Sequence, residues 1–255
     1  MSRAALVVGA VAAALALGVT AAWFFVLRDT AEPVGVDEAV TSFRTDTEPT
    51  SDQPSPIPEG VYVYRTEGDE KTDALTGVTH RYPKRSTITV RADECGVSLL
   101  WRVLDGRSTE WVFCVTPKGW ELRSQDERHT FFGRTEHTTY TCTHSPIRPD
   151  PPSVGSRWRV SCSTSDADET GLGTVVAGAL VRAAGATLDA THVRKTTRFT
   201  GAIRGTARYD FWFHRRLGLP VKIAMVSRTT NDSPVGDVHY DEDVTLLLTS
   251  LKPRR

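Results

Sequence analysis

The chain has 255 residues, with 31 basic and 31 acidic side chains, 39% hydrophobic residues and four cysteines. Residues 1–60 hold 3 basic and 8 acidic side chains, which leaves 28 and 23 in the rest, an excess of five positive charges. Spread over that length the excess is an ordinary solvated surface, and it excludes a nucleic-acid-binding stripe.

In chain order, a short cytoplasmic end (residues 1–3) precedes Ala4–Leu27, "AALVVGAVAAALALGVTAAWFFVL", 24 residues with no charge and no proline. At about 1.5 Å per residue, a helix of that length crosses the roughly 30 Å hydrocarbon core. Trp23, Phe24 and Phe25 stand where an interfacial aromatic belt belongs. Val19-Thr20-Ala21 resembles a cleavage site, but the apolar run continues past it and exceeds the usual signal-peptide core of about 7–15 residues. An uncleaved, single-pass signal-anchor is therefore expected, with the C-terminal domain outside the cytoplasm. Only 6 of the 31 basic residues are lysine, a bias of GC-rich bacterial coding sequence, so the expected location is a bacterial cell membrane.

Residues 28–59 read as a disordered, acidic linker rich in Pro and Thr, too poor in large apolar residues to bury a core. Such a tether spans about 30 Å as coil and holds the domain clear of the bilayer. A short helix at Val36–Phe43 is the alternative for part of it.

Residues 60–255 then suit one β-rich domain. "VYVYR", "STITVR", "VSLLWRV", "TEWVFCV", "GWELRS", "EHTTYTC", "RWRVSCS", "RYDFWFH", "VKIAMVSRTT" and "DVTLLLTSL" are short runs rich in β-branched and aromatic residues. Asp105-Gly106, Pro117-Lys118-Gly119, Gly218-Leu219-Pro220 and Asn231-Asp232-Ser233-Pro234 separate some of them as turns. The gaps are too short for crossover helices. The expected fold is mainly β, with one large curved antiparallel sheet, a half-barrel or a sandwich-like meander, and little helix. Thr174–Ala184 reads either as a helix or as one arm of a hairpin turning at Ala184-Gly185. Alternation at Leu188, Ala190, His192 and Arg194 favours the hairpin.

All four cysteines follow the apolar helix, and they allow three pairings. The midpoint of Cys95 and Cys114 falls in the turn-like Leu104–Arg107, and that of Cys142 and Cys162 in "SPIRPDPPSVG". Hairpin geometry thus prefers Cys95–Cys114 and Cys142–Cys162, in an oxidising compartment.

No hydrolase elbow, phosphate loop or dinucleotide fingerprint is present, and no catalytic residue, metal ligand or cofactor is assigned. His129, His137 and His144 cluster in sequence, with Glu136 beside His137, but a strand would send that neighbouring pair to opposite faces. "VHYDEDV" (Val238–Val244) puts His239, Asp241 and Asp243 on one face, best read as the solvated side of a strand. Asp166–Glu169 reads as a polar turn, and Lys252–Arg255 as a small basic tail.

The sharpest feature is "YDFWFHRRLGLPVKIAMV" (Tyr209–Val226). Tyr209, Phe211 and Phe213 share one strand face, matched on the return arm by Val221, Ile223 and Met225. Trp212 lies on the other face and Leu217 in the turn. This tryptophan strand, the "GLPV" turn and the final "VTLLLTSLKP" resemble the C-terminal part of LolA-like and mycobacterial-type lipoprotein-carrier proteins, over roughly Arg208–Pro253. The resemblance implies a curved sheet whose concave apolar face holds acyl chains beneath covering helices. Those eight residues are therefore the candidate ligand-binding set. Three functions follow in order of preference. The first is a non-catalytic, membrane-tethered extracytoplasmic binding or interaction module of the cell envelope. The second is a carrier of an apolar, lipid-like ligand. The third is a metal-assisted hydrolase using His137, His239 or Asp241. The expected partners are the cell membrane, through the N-terminal helix, and a lipid or an envelope protein.

Overall fold

The computed structural model describes residues 31–45, 55–233 and 236–255. The apolar segment 4–27 lies outside them. Among the described residues no helix is long and apolar enough to cross a membrane.

Among the described residues fourteen strands form one sheet. The first half of the chain gives β1 (Gly60–Thr72), β2 (Val78–Arg81), β3 (Arg85–Asp93), β4 (Gly96–Leu104), β5 (Arg107–Thr116), β6 (Gly119–Phe131) and β7 (Arg134–Cys142). The second half gives β8 (Pro146–Pro149), β9 (Arg157–Ser163), β10 (Ala167–Ala183), β11 (Ala186–Gly201), β12 (Ile203–His214), β13 (Pro220–Asn231) and β14 (Val238–Leu248). Among the described residues the strand pairings are all antiparallel, and twelve strands run in chain order around a ring, with β2 appended to β1 and β8 to β6.

The sheet is thus neither a half-barrel nor a sandwich. β14 returns to pair with β1 from Tyr64↔Leu248 to Thr72↔Tyr240, and the ring closes. Closure rests on the length of β1, which pairs with β3 through Gly60–Arg65 and with β14 through its later residues. Gly68 makes that possible. Its φ is +146°, and a Cβ there would sit 2.0 Å from the carbonyl oxygen of Asp243 on β14. No other residue type fits so close to a neighbouring backbone. Pairing β14 with β1 removes the two long outer edges that an open sheet of this size would carry.

The Thr174–Ala184 ambiguity resolves to the hairpin. β10 and β11 pair along their length around Ala184 and Gly185, both at positive φ (52° and 74°), which is the two-residue primed turn that suits twisted strands. Both expected disulfides are present, Cys95–Cys114 and Cys142–Cys162.

The described part of the expected tether is not free coil. α1 (Val36–Thr45) lies on the outside of the barrel, with Ala39 and Val40 buried against Val61 and with Phe43 packed on them. Arg91 of β3 stacks over the Phe43 ring at 4.5 Å and donates to its carbonyl at 3.0 Å. Upstream, Pro33 bridges to Leu104, and the Asp105 amide donates to the Glu32 carbonyl. A four-residue apolar stripe at helical spacing (Val36, Ala39, Val40, Phe43) suffices for docking, although the segment's average composition is polar.

Inside the ring, side chains of alternate residues fill the barrel in two zones. At the end reached by the start of β13 and the close of β14, the filling is apolar. Phe211 meets Trp111 edge-on at 6.0 Å, Phe213 meets Trp120 at 6.2 Å, and Val221, Ile223, Leu246 and Leu248 are at most 1% exposed. Toward the opposite end the interior turns polar, then opens.

Candidate functional site

The open end is formed by the close of β1, β6 and β13 and the start of β7, β12 and β14. A cavity of about 330 Å³ lies there. Its walls carry Phe131, Tyr140, Phe199, Ile203, Tyr209 and Tyr240, and Glu127 and His129 stand on its floor.

A lapse in the sheet creates this opening. β7 and β9 share only Thr141↔Ser163 and Cys142↔Cys162, whereas β6 and β7 pair from Ser124↔Thr141 to Phe131↔Arg134. Beyond Cys142 one more bond follows, from the Thr143 amide to the Ser161 carbonyl at 2.9 Å, and the proline-rich segment then leaves β9 to pair with β6 as β8. In the other direction β9 ends at Ser163. Among the described residues, Arg134–Tyr140 pair with no strand on the side away from β6. Glu136, Thr138 and Tyr140 face the cavity along this free edge.

Beneath the cavity runs a buried network of charges. Arg107, 1% exposed, holds Glu242 through Nη2 at 2.9 and 3.0 Å and through Nε at 3.1 Å, with Glu70 at 3.6 Å. Its Nη1 donates to the Ser108 carbonyl and to Thr109 Oγ1, both at 2.7 Å. Glu70 has His80 Nδ1 at 3.0 Å and His129 Nδ1 at 3.3 Å, and it accepts from the Tyr240 hydroxyl at 3.0 Å. The Tyr82 hydroxyl donates to Glu242. A second branch places Lys195 Nζ 2.8 Å from Glu169 and over the Tyr209 ring at 4.3 Å. Gln125 links the branches: its amide nitrogen donates to Glu127 at 2.7 Å, and Lys195 donates to its carbonyl oxygen at 3.4 Å.

The network sets the protonation of the floor. Burial by itself would raise the Glu70 carboxyl, but hydrogen bonds from His129 and His80 and the charge of Arg107 outweigh it and bring it down to about 2. Glu127 likewise falls to about 2 against its burial, through His129 and the Arg107 charge. Burial and Arg107 both act to lower His129, yet the two carboxylates beside it prevail and raise it. Burial first, and then the neighbouring carboxylates, push the Tyr240 and Tyr209 hydroxyls well above 10. The floor therefore presents an ionised Glu127 as acceptor, beside a His129 biased toward its cationic form. That suits recognition of a polar head group.

The eight residues expected to bind ligand are divided by the structure. Phe211, Phe213, Val221, Ile223 and Met225 are closed core, at most 2% exposed. Tyr209 alone lines the cavity. Trp212 is on the outer surface, stacked on His192 at 4.2 Å with Lys222 4.5 Å from its ring. Leu217 packs at the apolar end. Among the described residues no helix covers a concave face, because the barrel interior closes on itself. The three residues of the hydrolase alternative lie outside the barrel. His137 Nε2 is 2.7 Å from Asp126, His239 Nδ1 is 2.7 Å from Asp73, and Asp241 pairs with Arg228. Among the described residues, no group of three or more His, Cys, Asp or Glu side chains is arranged to hold a metal ion.

Glu127, His129, Phe131, Tyr140 and Phe199 were not singled out as binding residues from sequence. The signal was nearby: "HTFFGRTEHTTYTCTH" alternates Phe131 and Tyr140 with charged residues on either side of a turn.

No known protein family matches the chain, and no curated protein matches it. Among solved structures, it is similar to the hypothetical lipoprotein YmcC from Escherichia coli (K12), at 11% sequence identity and a TM-score of 0.34, over 83% of this chain and 96% of that one.

Proposed function

We propose that the protein is a non-catalytic binding module of the bacterial cell envelope, tethered to the membrane by residues 4–27, and that its ligand is a small amphiphile held in the open mouth of the barrel. The cavity carries this reading. Its 330 Å³ falls at the lower end of small-molecule sites, which run about 300–1,000 Å³. Its walls are aromatic and its floor is charged, so an apolar body would pack on Phe131, Tyr140 and Phe199 while a hydrogen-bond-donating head reaches Glu127. Two disulfides agree with an oxidising compartment.

The test uses the full chain in detergent with N-phenyl-1-naphthylamine, a probe that fluoresces in apolar sites, together with mass spectrometry of organic extracts. Saturable fluorescence and a co-purifying amphiphile are expected. Both should fall at least tenfold in Thr229→Trp, which fills the cavity, and stay within twofold in Trp212→Leu, which alters only the outer surface. Clean extracts with no saturable fluorescence would refute the reading, as would binding that follows Trp212 and ignores Thr229.

A further inference from the structure

The chain's entry point onto the barrel has a consequence for orientation. Ala31 packs against the core, and Glu32 is tied to the β4–β5 turn by two bonds, from the Asp105 amide to its carbonyl at 2.9 Å and from its own amide to Asp105 Oδ1 at 3.3 Å. That turn belongs to the mouth end. Arg107, just after it, pairs with His129 on the cavity floor, and a Cβ on Gly106 would touch Thr130 at 2.6 Å. The apolar run ends at Leu27. Only four Cα steps separate Leu27 from Ala31, a span of at most about 14 Å. β6, with 13 residues, carries the opposite end of the barrel roughly 30 Å away along a tilted strand.

We infer that the barrel sits mouth-down on its own membrane, with the β1–β2 and β6–β7 turns in contact with the lipid surface. The inference rests on reading residues 4–27 as an anchor; it does not require the ligand. A second observation supports it independently of chain length. The tips of those two turns are Leu75 and Phe132, both at positive φ (55° and 53°). Bulky side chains rarely take that conformation, and turns normally place Gly, Asn or Asp there. Leu75 is moreover 62% exposed, a large apolar side chain held out into solvent. Interfacial anchoring gives both residues a use. In this orientation the free edge of β7 and the cavity behind it open next to the bilayer, so an amphiphile would enter without crossing water.

Full-length protein in phosphatidylcholine vesicles containing a chain-diazirine phosphatidylcholine is irradiated, and adducts are mapped by peptide mass spectrometry. Adducts are expected in the turns around Leu75 and Phe132. They should drop at least fivefold in Leu75→Ser/Phe132→Ser, with both disulfides and the thermal midpoint retained. Inserting twenty Gly/Ser residues between Asp29 and Thr30 should also lower them several-fold. Adducts confined to the exposed Leu172 and Leu180 on β10, or absent from the barrel of a chain that resists carbonate extraction, would overturn the orientation. Unchanged rim adducts after the insertion would overturn it too, because the short link would then set nothing. Release by carbonate would remove the anchor itself, and the orientation with it, whereas probe binding in detergent is decided separately.

Discussion

Glu242 occupies a position where one substitution separates two effects. Its carboxylate takes three hydrogen bonds from Arg107 and one from Tyr82, with 5% of the residue exposed. Such a pair gains little over a well-packed apolar pair, because desolvating two charges consumes most of their attraction. Breaking it is another matter. Glu242→Gln leaves the buried Arg107 charge with its neutral partners Ser108 and Thr109 and, as counter-charge in ion-pair range, only the longer contact to Glu70 at 3.6 Å. The expected loss is about 3–5 kcal/mol, read as a lower urea midpoint with an unchanged slope. Arg107→Met/Glu242→Leu removes both charges and should regain most of that loss. A penalty below about 1 kcal/mol for Glu242→Gln would mean that water already reaches the pair. Because the same arginine and carboxylates fix His129 and Glu127, the double variant should fold yet bind the naphthylamine probe more weakly.

At the scale of elements, the two disulfides close loops of similar length, with separations of 19 and 20 residues, but they staple different structures. Cys95–Cys114 joins strands already paired from Gly96↔Cys114 to Leu104↔Arg107. Cys142–Cys162 sits at a seam of two residue pairs. Removing either by Cys→Ser pairs should cost about 3 kcal/mol globally. Hydrogen exchange should then distinguish them. β7 and β9 lose protection when Cys142–Cys162 is removed, while β4 and β5 keep theirs without Cys95–Cys114. Equal local protection in the two variants would mean that the seam holds by packing alone. Both pairings were legible because each lies across neighbouring strands, and the alternation of Tyr209, Phe211 and Phe213 was legible because it is local. Glu242 was not. In "VHYDEDV" its inward parity can be read, but its partner Arg107 lies 135 residues away. Barrel closure was hidden for the same reason, since β1 and β14 meet only at the two ends of the domain. α1 was obscured differently, its short apolar stripe diluted by acidic and proline-rich flanks.

For the molecule as a whole, the mouth network makes stability a two-sided function of pH. Glu70 and Glu127 bind protons less readily in the folded barrel, at about 2, than at their ordinary 4.5. Their contribution is complete above pH 4.5 and disappears as pH falls through 2, on the order of 3 kcal/mol for Glu70. His129 has the opposite sign. Its folded value lies above 6.5, so the contribution is complete below pH 6.5 and fades as pH rises through the folded value. The thermal midpoint should therefore be highest between about pH 4.5 and 6.5 and decline on both sides. His129→Gln separates the limbs. It should flatten the alkaline limb, because the titrating group is gone, and move the acid limb to higher pH, because Glu70 and Glu127 lose the partner that holds them down. Scanning calorimetry of both proteins from pH 3 to 9 gives the answer. An alkaline decline that survives in His129→Gln would assign the effect to another group and detach His129 from the stability of the barrel mouth.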